Sequence, residues 1–160
     1  MAESGVFLRK KVIRSKAFQE LTKTEIRVFL EFLLKRTFER QGNKPGKNTR
    51  YSIRNNGEIT FTYAEATKLL NIAPQTFQRA IDKLIKVGFV DITKQGHGGI
   101  IEHGKITGEA TLYAIYDRWE DYGTENFKEL VRTKDGRKGR GWSAYHAKKN
   151  RAKTIGSGKD

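Results

Sequence analysis

The sequence predicts an α+β fold, three helices packed with one short strand and a β-hairpin, and three features carry that expectation. Two capping-box spacings, Thr22 to Glu25 and Thr62 to Glu65, each stand just ahead of an apolar run at helical period. A third such run lies between Pro74 and Gly88, punctuated as helices are by proline at the start and glycine just past the end. Beyond it, Phe89 to Thr93 and Ala110 to Ile115 flank a glycine-rich stretch as the arms of a hairpin do.

Taken in order, residues 13–21 read as a short helical turn with Ser15 as its cap. The main helix follows the Thr22 box, with Ile26, Phe29, Leu30, Leu33 and Leu34 on one face, and fades near Arg40 because Gly42, Pro45 and Gly46 come next. Residues 41–57 read as a polar loop closed by the turn signal Asn55, Asn56, Gly57, and Glu58 to Phe61 as a short strand. The second helix carries Ala66, Leu69 and Leu70. Asn71, Ile72 and Ala73 separate it from the third, 74–87, whose inner face is Phe77, Ala80, Ile81 and Leu84. Gln95 to Glu109 reads as a glycine-rich loop, and Trp119, Tyr122 and Phe127 as a last packed segment.

A chain of 160 residues with 36% hydrophobic content supports one domain, expected over 1–127 with a basic N-terminal arm, and a basic, disordered tail over 128–160. Thirty-two Lys and Arg against 18 Asp and Glu give a net charge of +14, the balance of a protein with a polyanionic partner. No cysteine is present, which excludes disulfides, thiolate zinc sites and cysteine nucleophiles. The first residues lack the apolar run of a secretory signal and no segment is apolar over a bilayer's width, so a cytoplasmic, nucleoid-associated protein without membrane contact is expected.

Two helices joined by about three residues and followed by a β-hairpin is the winged helix-turn-helix order, in which the second helix of the pair enters the major groove and the hairpin is the wing. With Phe77, Ile81 and Leu84 turned inward, Gln75, Thr76, Gln78, Arg79 and Lys83 face out as candidate base readers. Gln grips adenine and Arg grips guanine bidentately, and Thr meets a thymine methyl or a phosphate. Taken singly, such residues are an ordinary solvated face; their place on this helix gives the group its meaning. The helix start at Ala73 offers backbone donors to a phosphate. Lys94, His97 and Lys105 on the wing, Arg9, Lys10 and Lys11 in the arm, and Arg137, Lys138 and Arg140 in the tail are candidate backbone contacts.

Several short strings occur in a familiar succession: Ser15 to Phe18, Asn55 to Gly57, Thr62 to Ala66, Leu70 to Ile72, Thr76 to Ala80 and Gly88 to Val90. Over residues 7–116 the chain resembles winged-helix proteins of bacterial phages, plasmids and integrated elements, and is similar to the N-terminal domains of phage replication-initiation proteins. The resemblance implies double-stranded DNA binding in replication initiation or in transcription regulation, without choosing between them. A homodimer on two half-sites, and a replication or transcription partner docked through the tail, stay open.

No cofactor and no catalytic residue is expected. The three histidines, His97, His103 and His146, match no metal or triad spacing, and the glycines from Gly96 to Gly99 lack the Gly-Lys-Ser/Thr ending of a phosphate-cradling loop. The rival class is a small basic RNA-binding component of a ribonucleoprotein, or a nonspecific architectural binder of nucleic acid.

Overall fold

The computed structural model describes residues 5–41, 50–102 and 105–132. Two four-residue helices open the chain, α1 (Lys10–Ile13) and α2 (Lys16–Gln19), and Ser15 Oγ caps the second by accepting from Phe18 N at 3.1 Å. Helix α3 (Lys23–Leu34) begins at the expected box, with Glu25 accepting from the Thr22 backbone N–H at 2.6 Å. It ends six residues before Arg40. The Asn55 side chain explains the stop: its amide donates to Lys35 O at 2.9 Å and its oxygen accepts from Thr37 N at 2.8 Å, drawing the chain out of the helix.

The segment expected as a polar loop is instead part of an antiparallel pair, β1 (Phe38–Gln41) and β2 (Arg50–Ile53), with Phe38 opposite Ile53 and Gln41 opposite Arg50. Strand β3 (Ile59–Thr60) then leads into α4 (Tyr63–Leu70), and Asn71 ends that helix in the left-handed conformation at φ 52°. Three residues later α5 (Pro74–Val87) starts at the predicted proline. It closes in a Schellman turn: Phe89 N donates to Leu84 O and Gly88 N to Ile85 O, with Gly88 at φ 91°. A Cβ on Gly88 would lie 2.8 Å from Trp119 N, so both the dihedral and the close approach require glycine here.

Strands β4 (Val90–Lys94) and β7 (Leu112–Ile115) pair antiparallel, and β3 adds to the other edge of β7, giving the sheet order β3-β7-β4. Gln95 to Glu109, expected as a loop, contains a separate antiparallel pair, β5 (His97–Glu102) and β6 (Lys105–Glu109). This pair forms a compact unit distinct from the body. A 3-10 helix (Arg118–Asp121) follows, with Trp119 buried as expected.

The core lies where α3, α5 and the three-stranded sheet meet. On α3 the buried stripe is Val28, Phe29, Phe32 and Leu33, whereas Leu34, expected inside, is exposed and Ile26 and Leu30 pack only at the margin. Phe32 explains the rotation of the stripe, because its ring meets both Phe61 at 5.4 Å and Tyr113 at 5.2 Å, edge to face. On α5 the predicted Phe77, Ala80, Ile81 and Leu84 are buried, joined by Ile85 and Val87. Phe89 sits between Phe29 at 4.7 Å and the stacked Trp119 at 5.6 Å, which ties the last packed segment to the helices. On α4, Ala66 and Leu70 are buried and Leu69 is exposed, contrary to expectation.

Candidate nucleic-acid interface

Helices α4 and α5 are held in place before any ligand is considered. Thr62 Oγ1 caps α4 by accepting from Glu65 N at 3.2 Å, but the Glu65 carboxylate does not complete the expected box; it pairs with Lys35, reaching across to α3. At the other end of α4, Arg27 of α3 donates to Leu70 O at 3.1 Å. Phe77 is clamped edge to face by Phe61 at 4.8 Å and Tyr63 at 5.3 Å. These contacts fix α5 against the core from its first turn.

The outward face of α5 divides into two parts. In its first two turns Gln75, Thr76, Gln78 and Arg79 are all exposed, and among the described residues their side chains have no hydrogen-bond or ion-pair partner. Ala73, also exposed, stands at the N-cap position with an extended backbone and no side-chain cap. Pro74 has no N–H, so Gln75 and Thr76 carry the helix's free backbone donors.

In the last two turns the charges are already engaged. Lys83 donates to Glu20 at 2.7 Å, Asp82 lies 2.8 Å from Arg132 Nε in an ion pair with poor hydrogen-bond alignment, and Lys86 lies 3.6 Å from Glu129. Lys83 is thus half-buried in a contact within the body, unlike the four residues that precede it. The Lys83 hydrogen bond, and after it one from Tyr122, holds the Glu20 carboxyl below its ordinary range. Arg118 closes the end of the helix, donating to Ile85 O at 2.9 Å, to Asp91 at 2.5 Å and to Lys128 O at 2.8 Å. Residues 128–132 consequently run along the body rather than belonging to a free tail.

The other candidates divide in the same way. Arg9 pairs with Asp117 at 3.1 Å and Lys11 with Glu120 at 2.5 Å, so the basic arm is fastened to the 3-10 helix, while Lys10 is exposed in α1. Lys94 is exposed at the end of β4. His97 stands opposite Glu109 and Lys105 opposite Glu102 in the β5–β6 register. Arg137, Lys138 and Arg140 lie outside the described residues, as does His103.

Among the described residues no three or more His, Cys, Asp or Glu gather as a metal site would require, and no helix is long and apolar enough to cross a membrane. Comparison with known proteins found no matching family model, no similar curated protein and no similar solved structure.

Proposed function

We propose that this protein is a winged helix-turn-helix binder of double-stranded DNA that reads sequence with the first two turns of α5 and acts in replication initiation or transcription regulation of a phage- or plasmid-type element in the bacterial cytoplasm. One observation carries the reading: Gln75, Thr76, Gln78 and Arg79 share an exposed face with no side-chain partners among the described residues, on a helix whose remaining charges are paired within the body. The N-terminal residues of a recognition helix are the ones that meet base edges. The order of α3, β3, the α4–α5 pair, β4 and β7, with β7 central and the pairs β1–β2 and β5–β6 inserted, supports a three-helix core with strand and wing.

Phosphate contacts fall to basic residues elsewhere in the chain. Lys94 and Lys10 are exposed on the body, and residues 133–160 contain nine Lys and Arg against two Asp, half of the net charge of +14. Such charge adds affinity without selectivity, by counterion release.

Competition binding at graded salt tests the reading. Duplex DNA should win over folded RNA of equal length, and log K against log[salt] should slope near −5 if about six phosphates are neutralised. A preference for folded RNA, or a flat slope, overturns it.

A further inference from the structure

Hairpin β1–β2 stands outside the reading just given, yet its composition and exposure ask for a ligand. Among the described residues it pairs with no other strand, and both strands are four residues long, a marginal structure in water unless something holds it. Its root is firmly tied. Arg54 N donates to Thr37 O at 2.8 Å, the Asn55 side chain bridges Lys35 and Thr37, and the Asn56 side chain makes two hydrogen bonds to the Ile115 backbone.

The two faces differ. Glu39, Gln41 and Ser52 satisfy one another on one side, Gln41 donating to Ser52 at 2.5 Å and Ser52 to Glu39 at 3.3 Å. The register puts Phe38, Arg40, Tyr51 and Ile53 together on the other. There Phe38 is 55% and Tyr51 66% exposed on one small face, and Arg40 lies directly across from Tyr51. Among the described residues the side chains of Arg40, Tyr51 and Arg54 have no hydrogen-bond or ion-pair partner. The Phe38 ring already accepts one cation, with the Arg36 guanidinium 5.3 Å from its centroid. Between Arg36 and Arg54 the sequence sets four arginines against a single acid, Glu39.

We propose that this face is a stacking platform for single-stranded DNA, Phe38 and Tyr51 receiving unpaired bases while Arg40, between them, meets the phosphates. Exposed rings interleaved with arginine are the chemistry that holds a single strand, because every base has a π-face whatever its sequence. Paired bases offer no such face to a ring, and an apolar protein partner gives no reason for the surplus of arginine. The charge therefore selects a nucleic acid and the rings select an unpaired one. A protein with both this platform and the α5 face holds a duplex and a separated strand at different surfaces.

The test uses the full chain and an oligothymidylate of about 20 nucleotides, long enough to cover one site of this kind. Tyr51→Leu and Phe38→Ala should each weaken its binding roughly 5- to 150-fold, the loss expected of one base stack, and Tyr51→Phe should retain it. Duplex binding measured in parallel should stay unchanged in all three, and Arg79→Ala should leave oligothymidylate binding as it was. The proposal is overturned if the Phe38→Ala/Tyr51→Leu double variant binds the oligonucleotide as the unaltered protein does. It is overturned equally if the double variant loses a self-associated state at unchanged oligonucleotide affinity, since the face then belongs to a second copy. Failure of the duplex reading alone shows as normal oligothymidylate binding without duplex selectivity.

Discussion

Both halves of α5 turn polar side chains outward, and the fold treats the two halves differently. Gln75, Thr76, Gln78 and Arg79 project outward with no side-chain partner among the described residues, whereas Asp82, Lys83 and Lys86, one or two turns on, are each in contact with an oppositely charged group of the body. A charge on a helix surface thus says little by itself. What matters is whether the fold has already supplied its counter-charge, because only an unspent group gains by meeting a ligand.

The comparison breaks most severely at Gly88. Gly88→Ala forces a side chain into φ 91° and into the Trp119 backbone at 2.8 Å, and should cost about 2–4 kcal/mol, combining left-handed strain with displaced packing. Thermal unfolding would show it; a variant as stable as the parent would mean that the helix stop is not fixed there. Next comes Arg79→Ala, expected to cost about 1–3 kcal/mol of discrimination at one base pair while leaving stability within roughly 0.5 kcal/mol. Equal losses on every duplex would make Arg79 a phosphate contact. Removing the residues after Arg132 should reduce specific and nonspecific affinity by the same factor and flatten the salt dependence.

The smallest effect is expected on the paired half. Lys83→Met should change duplex affinity little and cost at most about 1 kcal/mol of stability, the range of a partly exposed ion pair. Because Glu20 titrates below its ordinary value when folded, its contribution is present above about pH 4.3 and is lost as the pH falls through the lowered value. The stability gap between Lys83→Met and the parent should therefore close in acid. A gap that persists there would assign the effect to packing.

How much of this was legible follows the range of the interactions. Pro74, Gly88, Ser15 and the Thr22 box are local signals, and each marks an element boundary in the structure as expected. The pairing of Lys83 was hidden because Glu20 is 63 positions away, and that of Glu65 because its competitor Lys35 lies on another helix. Strand β1 is exposed at every position and β2 alternates over only four residues, Tyr51 and Ile53 against Arg50 and Ser52, too short a run to outweigh the breakers before it. The α3 face was misjudged by about one position because Phe32 answers to rings on β7 and beside β3, not to the period of its own helix. The exposed first turns of α5 were the legible part of the candidate site; which charges the fold would consume was not.

Selection from random duplexes with the parent protein and with Arg79→Ala most directly tests whether the first two turns of α5 read bases. The parent should enrich a defined site, and Arg79→Ala should lose its preference at one guanine position while the rest of the site persists. Identical enriched sites from both proteins, or none from either, would contradict the assignment.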